Sequence, residues 1–142
     1  MLRTLAIATA FGALAMAAQA ADYEVKMLNS GAEGMMVFEP AYIQIEPGDT
    51  VTFLPTDKSH NAETIPGMLP EGAEPFAGAM NKEVSVTFTE EGIYGVKCNP
   101  HYAMGMTAVI QVGNAENLEE ATGIKHPGQA AKRMAAALAQ VQ

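Results

Sequence analysis

The feature that most constrains the fold is a series of short apolar–polar alternations, each ended by turn residues, that occupies residues 21–113. In one such run Val84, Val86 and Phe88 alternate with polar side chains, the period of two that is typical of a half-buried strand. Turn signals such as Glu46–Asp49 separate the runs, at intervals of about eight to twelve residues as in all-β sandwiches. Residues 21–113 are therefore predicted to form a β-sandwich.

The pattern changes after Gly113, where helical periodicity replaces the alternation. Asn114 can cap a short helix that runs to about Thr122. Pro127 is suited to open a second helix, because its missing N–H costs nothing in the first turn. That helix carries one apolar stripe, formed by Ala130, Met134, Leu138 and Val141. Residues 114–142 are predicted to be a helical appendage of the same domain.

The N-terminal segment has the features of an export signal. Arg3 gives a positive start, the stretch Leu5–Ala17 is mostly small or apolar, and Ala18–Ala20 offers the small-x-small site after which a signal peptidase cuts. The apolar stretch is too short for a comfortable membrane span. We expect residues 1–20 to be a cleaved signal peptide and the mature protein to have no membrane anchor.

The charge balance argues against one class of partner. The chain holds 8 basic and 16 acidic side chains, a net charge of −8 with histidine neutral. Removal of the predicted signal peptide takes away Arg3 and leaves 7 − 16 = −9. Because nucleic-acid phosphates attract basic surfaces, so acidic a domain is not expected to bind nucleic acid.

The single cysteine is the most informative residue for function. Exported proteins normally pair their cysteines, yet Cys98 has no second cysteine in the chain. Its neighbours favour a chemical role, because His101, Met104 and Met106 follow it within nine residues. His60, the other histidine of the predicted sandwich, follows a strand and a turn. Two loops at the same end of a sandwich can bring it to Cys98.

This group of donors suits copper. A thiolate and two imidazoles with a weak thioether are the ligands of blue-copper electron-transfer sites. Thiolate and thioether are soft donors that suit Cu(I), imidazole serves both oxidation states, and zinc sites seldom use methionine. The alternation does not choose between Met104 and Met106 as the thioether ligand, since both fall in the same phase of the following strand.

Five motifs extend the pattern along the whole predicted mature chain. They are Phe38–Pro40, Glu46–Asp49, Pro55–Asn61, Leu69–Gly72 and Tyr94–Met106. Together with the two C-terminal helices they resemble the pseudoazurins, a family of small periplasmic cupredoxins with type 1 copper. The resemblance implies a Greek-key β-sandwich with two C-terminal α-helices.

The resemblance also implies the ligands. One type 1 copper ion per chain would be bound by His60, Cys98, His101 and Met106. Asn61 would tie the two ligand loops together by hydrogen bonding near the thiolate. By the same resemblance, Met36 would pack close to the His101 ring, and the exposed edge of that ring, inside an apolar patch, would be the electron port.

The resemblance further implies a role and a location. Such a protein shuttles single electrons in the periplasm as a monomer, with a cytochrome as donor and a copper nitrite reductase or related denitrification reductase as acceptor. In the family, lysines ring the docking patch, and here Lys58 and Lys97 flank the ligands while Lys26 and Lys82 are further candidates. The acidic balance and Asn99, where the family more often has threonine, depart from that pattern.

Two other functions use the same residues. A Cys98–His101 pair has the components of a nucleophile and base, but only two residues separate them and no orienting third group is evident. A copper reductase needs a second copper with further histidines, whereas the chain has three and His126 lies between the predicted helices. We therefore expect no enzyme activity. A periplasmic Cu(I) carrier or chaperone remains the alternative, although a ligand loop braced between strands argues for a shuttle.

Overall fold

The strands and helices of the computed structural model lie within residues 18–142, the part of the chain that it describes. The strands are β1 (Asp22–Gly31), β2 (Gly34–Glu39), β3 (Tyr42–Ile45), β4 (Thr50–Leu54), β5 (Glu63–Thr64), β6 (Val84–Thr87), β7 (Gly92–Lys97) and β8 (Thr107–Val112). The helices are α1 (Leu118–Thr122) and α2 (Gln129–Leu138). None of the helices in this part of the chain is long and apolar enough to cross a membrane. Most of the predicted signal peptide, residues 1–17, lies outside the described residues.

The strands form two four-stranded sheets, in the orders β2-β1-β4-β6 and β3-β8-β7-β5. Neighbouring strands are antiparallel except for the pairs β1–β4 and β3–β8. Strands β7 and β8 pair as far as Lys97 opposite Thr107, so Cys98 and Met106 lie directly beyond the last pair. The predicted β-sandwich with two C-terminal helices is confirmed.

The main core lies between the inner faces of the sheets. Apolar side chains that alternate along the strands meet there, as the period of two requires. This cluster includes Val25, Met27, Phe38, Phe53, Phe88, Tyr94, Val96, Ala108 and Ile110. Cys98 and Met106 belong to the same cluster, so the core extends to the end of the sandwich at which they lie.

Strand β8 departs from simple alternation, because all six of its residues are buried. The helices explain this burial. A second apolar cluster on the outer face of the sheet joins Val109 of β8 to Met134 and Ala137 of α2. Helix α2 therefore covers one face of β8, while the main core covers the other.

Both helices begin later than the sequence predicts. Helix α1 starts at Leu118 rather than beside Asn114, because the side chain of Asn117 instead bonds the N–H and C=O of Ile93 in β7. Helix α2 starts at Gln129, and Gly128 with φ 52° precedes it. The carbonyl of Pro127 accepts from Ala130 N–H. The predicted apolar stripe is buried at Ala130 and Met134 and half-buried at Leu138 and Val141.

Candidate metal centre

The residues expected to bind metal meet at one end of the sandwich. Cys98 directly follows β7, and His101 ends a short 3-10 helix, Asn99–His101. His60 lies in the loop after β4 and is held there by Asn81, whose N–H donates to the His60 carbonyl at 2.9 Å. The three side chains come from two loops and form one cluster.

Their donor atoms form a nearly equilateral triangle. Cys98 Sγ lies 3.6 Å from His60 Nδ1 and 3.5 Å from His101 Nδ1, and the two Nδ1 atoms are 3.1 Å apart. The corners of such a triangle lie about 2.0 Å from the point equidistant from them, close to the roughly 2.0–2.3 Å bonds that metals make to nitrogen and sulfur. The three donors therefore fit a single trigonally bound metal ion.

Burial separates the two candidate thioethers. Met106 is fully buried in the core cluster that contains Cys98, whereas Met104 is 46% exposed. The backbone ties Met106 to two other members of the site. Its N–H donates to the His101 carbonyl at 3.2 Å, and its carbonyl accepts from Cys98 N–H at 3.0 Å. Only Met106 is both buried and fixed beside Cys98.

The tautomer of His60 is set by an asparagine that sequence reasoning missed. His60 Nε2 lies 2.7 Å from Asn29 Oδ1, and because that oxygen can only accept, Nε2 carries the proton. The Nδ1 lone pair is then free to face the other donors, the orientation that metal-binding histidines normally have. Burial lowers the pKa of His60, nearby His101 lowers it further, and Asp57 opposes the shift. Burial and the proximity of His101 therefore both favour the neutral form of His60, the form that can bind a metal.

The thiol is buried more deeply than is usual for a reactive cysteine. Cys98 has no exposed surface, and burial raises its pKa while hydrogen bonds from the backbone of Asn61 and His101 act to lower it. Those N–H donors would stabilise a thiolate. A metal ion at the centre of the triangle would add the missing positive charge, since a coordinating thiol is deprotonated.

Asn61 ties the two ligand loops together, as expected. Its Oδ1 accepts from Asn99 N–H at 2.7 Å, and its Nδ2 donates to Gly78 O and to Glu63 Oε2. The side chain of Asn61 thus spans the loop of His60, the loop of Cys98 and the start of β5.

The structure gives two positively charged residues contacts that the sequence did not predict. Lys97 is not a free charge beside the site, because its Nζ lies 3.4 Å from Glu63 Oε1 and 5.0 Å from the centre of the Tyr102 ring. Arg133 of α2, which sequence reasoning did not single out, donates to backbone carbonyls next to the site. No sequence signal marks Arg133, since it lies 35 residues beyond Cys98.

The surface above the cluster is apolar. His101 is half-buried, and the neighbouring Pro100, Ala103 and Met104 are exposed. His126 takes no part in the cluster, since its Nδ1 lies 2.6 Å from the hydroxyl of Tyr102. This arrangement leaves one imidazole edge of the candidate centre at the surface, among uncharged side chains.

Comparison with known proteins agrees with this chemistry. Residues 25–113 match the family described as copper binding proteins of the plastocyanin/azurin family. The chain is 54% identical over 137 residues to pseudoazurin of Paracoccus pantotrophus, covering 96% of this chain and 94% of the relative. It is 49% identical over 140 residues to pseudoazurin of Methylorubrum extorquens, covering 98% and 93%.

A solved structure shows the same fold. The crystal structure of pseudoazurin from Methylobacterium extorquens AM1 superposes with a TM-score of 0.82 at 49% identity. The match covers 85% of this chain and 99% of that one, so it includes both sheets and the C-terminal helices.

Proposed function

The chain belongs to the pseudoazurins, copper-binding electron carriers of the plastocyanin/azurin family, and on this premise we propose which residues do the work. His60, Cys98, His101 and Met106 would hold one type 1 copper ion, which would supply one-electron redox chemistry. The exposed edge of His101 passes single electrons to and from partner proteins in the periplasm.

The observation that carries this proposal is the buried triangle of donor atoms. One sulfur and two Nδ1 atoms face each other at 3.1–3.6 Å, with the Asn29 oxygen fixing the tautomer of His60. Such a donor set suits copper, which would supply one-electron chemistry between Cu(II) and Cu(I). The assignment of Met106 over Met104 rests on burial and on the two backbone hydrogen bonds that hold Met106.

The chain contributes rigidity to this role. Cys98, His101 and Met106 are linked by backbone hydrogen bonds, and Asn61 joins their loop to that of His60. Because each ligand is held by the protein independently of the metal, little has to move when the charge at the site changes. Fast electron exchange needs small rearrangement, so this bracing favours a shuttle over a Cu(I) carrier, whose site must open to release metal.

Catalysis is not part of the proposal. The imidazoles of His60 and His101 both face Cys98, and His126 bonds Tyr102. The chain has only three histidines, so none is left for the second metal site that a copper reductase requires. We therefore propose that the protein transfers electrons between partners and does not convert a substrate.

For the partners we propose a cytochrome as donor and a copper nitrite reductase or related denitrification reductase as acceptor. The proposal is supported by the apolar surface of Pro100, Ala103 and Met104 around His101, which suits brief docking. Lys58 is exposed two residues before His60 and would supply a steering charge, whereas the charge of Lys97 is largely neutralised by Glu63. The electrostatic attraction of an acidic partner by these lysines is therefore expected to be weaker than their number suggests.

The test is a visible absorption spectrum of the protein loaded with Cu(II), then reduced with ascorbate and reoxidised. We expect an intense blue thiolate-to-copper band that bleaches on reduction and returns on oxidation.

Three variants test the ligand assignment. Cys98→Ala abolishes the band. Met106→Leu keeps copper bound but raises the reduction potential, because the loss of a fourth ligand leaves a lower coordination number, which Cu(I) tolerates better than Cu(II). Met104→Leu is the matched control and leaves the potential unchanged.

Two outcomes would contradict the proposal. A protein that binds copper only as Cu(I) and stays colourless would be a carrier rather than a shuttle. A potential that responds to Met104→Leu and not to Met106→Leu would make Met104 the axial ligand. Electron transfer to a purified copper nitrite reductase, measured by stopped-flow bleaching, tests the proposed acceptor separately.

A further inference from the structure

We infer that Arg133 of helix α2 is a positioning residue of the copper site, acting on the axial ligand through the backbone. The inference rests on the proposed ligand set, in which Met106 is axial. It assigns to the C-terminal helix a role in setting the reduction potential, beyond its role in covering β8.

The guanidinium of Arg133 binds three carbonyls from two segments. Nη1 donates to Met36 O at 2.7 Å and to Gly105 O at 3.2 Å, and Nη2 donates to Met35 O at 2.9 Å. Arginine suits this task because its planar fork directs several N–H groups at fixed angles. The side chain joins the start of β2 to the residue that precedes Met106.

Both segments have a positive φ at the bonded carbonyl. Met36 has φ 51°, in the left-handed region that residues other than glycine rarely adopt. Gly105 has φ 96°, which glycine adopts readily but which leaves its backbone flexible. At Gly105 a Cβ would lie 2.6 Å from Arg133 Cδ, so the helix packs against this residue as closely as the absence of a side chain permits. Arg133 thus helps to hold the unfavourable conformation of Met36 in place and fixes the carbonyl of the flexible Gly105.

The first turn of α2 makes a second contact with the same loop. Gln129 N–H donates to Ala103 O at 2.9 Å, and a Cβ on Gly128 would collide with that carbonyl. Helix α2 is therefore fixed to Ala103 and Gly105, on either side of Met104. The backbone position of Met106, the residue after Gly105, is thereby tied to α2.

Displacement of Gly105 reaches the metal site directly. Met106 N–H bonds the carbonyl of His101, and Met106 O accepts from Cys98 N–H. The backbone position of Met106, which limits how far its thioether can reach towards the other donors, is thereby linked to the position of the Gly105 carbonyl. Loss of the Arg133 hydrogen bonds lets Gly105 relax and weakens the axial interaction, which favours Cu(I).

The test compares Arg133→Met with three other variants. Lys132→Met removes the same charge from the adjacent, exposed position of α2. Met134→Ala weakens the packing of α2 on β8 without touching the hydrogen bonds of Arg133. Arg133→Lys keeps the charge but lacks the planar fork. The reduction potential and the visible spectrum are measured for each copper-loaded protein, and amide exchange at Met106 is measured for each metal-free protein.

For Arg133→Met we expect the relative affinity for Cu(I) over Cu(II) to rise by about threefold to tenfold, tenfold being about 59 mV for a one-electron couple. We expect Met106 amide exchange in the metal-free protein to become at least about tenfold faster, since local opening governs it. Arg133→Lys gives a partial effect. Lys132→Met changes none of these quantities, and Met134→Ala lowers the unfolding midpoint without shifting the potential.

The inference is overturned if Arg133→Met folds and shows no upward shift of potential, or if Met134→Ala shifts it equally. The second result would mean that general loosening of α2 is responsible. Failure of the proposed function is seen separately, because the unmodified protein would then lack the blue band. If Arg133→Met does not fold, Arg133→Lys carries the test with the same two measurements.

Discussion

Asn29 shows how much a single residue without a metal contact contributes to the candidate site. Its side chain oxygen holds the proton of His60 on Nε2 and leaves Nδ1 to face Cys98. In the sequence Asn29 is merely the polar end of the alternation in β1. The hydrogen bond depends on β1 passing beside the loop of His60, which is a tertiary contact and leaves no local pattern.

We expect Asn29→Ala to weaken copper binding by about 10–100-fold, as is typical when the hydrogen-bond partner of a ligating histidine is removed. Without it, His60 samples the other tautomer, in which Nδ1 is protonated and cannot ligate. Competition with a Cu(I) chelator measures the affinity. Asn114→Ala, at an exposed asparagine, is the matched control, and equal affinities for the two variants would show that Asn29 does not orient His60.

The buried hydroxyl of Tyr94 leads us to expect that the free energy of unfolding falls at high pH. Tyr94 is 4% exposed and its hydroxyl donates to Glu90 O at 2.8 Å; burial, with the charge of Glu90, raises its pKa from 10.0 to about 12. Because the unfolded chain releases this proton near pH 10 and the folded protein does not, the free energy of unfolding falls as pH rises between these values. The slope from Tyr94 alone approaches about 1.4 kcal/mol per pH unit.

Tyr94→Phe tests this assignment through denaturant unfolding at several pH values. The variant loses about 0.5–1.5 kcal/mol at neutral pH with its hydrogen bond, but its stability declines less steeply above pH 10. Burial also raises the pKa of Tyr42 and Tyr102, so part of the slope remains. Parallel curves for the two proteins would show that Tyr94 titrates normally.

The choice between Met104 and Met106 shows where residue-level prediction from sequence ends. Alternation places both in one phase, and only the resemblance to pseudoazurins pointed to Met106. The structure separates them because Gly105, with φ 96°, interrupts the alternation before β8 begins. Met104 therefore lies at the surface and Met106 in the core. A pattern of apolar residues does not reveal such a kink.

At the scale of elements, the strands were predictable and the helix starts were not. Val25 and Met27 of β1 are buried where the period of two places them. Local preference favoured Asn114 as a helix cap, but Asn117 is committed to β7, and α1 begins after it. Pro127 lies before the first turn of α2 because Gly128 must approach Ala103 closely. In both helices a tertiary contact overrides the local signal.

The close packing of β7 against the long loop between β5 and β6 gives a prediction at the same scale. A Cβ on Gly95 would lie 2.5 Å from Met68 Sδ and 2.8 Å from Met68 Cβ. We expect Gly95→Ala to cost about 1–3 kcal/mol of stability by overpacking. Met68→Ala costs about 2–5 kcal/mol by leaving a cavity.

The double variant decides whether these two residues share one space. Because the methyl group added to Gly95 enters the volume that Met68 vacates, Gly95→Ala/Met68→Ala is expected to be more stable than the sum of the single changes predicts. Chemical denaturation of the four proteins gives this coupling directly. Strictly additive losses would mean that the strand shifts instead of pressing on Met68.

At the scale of the whole molecule, one group of acidic side chains lies away from the candidate copper centre, whereas Asp57 and Glu63 lie near its ligands. Glu71, Glu90, Glu91 and Glu116 line one surface near the start of β7, whereas Cys98 follows the end of that strand. A six-residue strand separates the two regions by about 20 Å. Charges this far apart are largely screened at 0.15 M ionic strength, where the Debye length is about 8 Å. These four charges therefore contribute little to the electrostatic potential at the candidate copper centre at that ionic strength.

This layout predicts how salt affects electron transfer to a small anionic oxidant such as hexacyanoferrate(III). For the double variant Glu71→Gln/Glu116→Gln, Coulomb energies over about 20 Å give a rate increase of about threefold at 0.01 M ionic strength and almost none at 0.15 M. Lys58→Gln, in the same loop as His60, is expected to lower the rate at both ionic strengths because it removes a positive charge two residues from a ligand. Stopped-flow oxidation of the reduced copper protein measures these rates. An effect of the double variant that persists undiminished at 0.15 M would mean that the oxidant approaches the acidic surface, and the electron port would then not be the edge of His101.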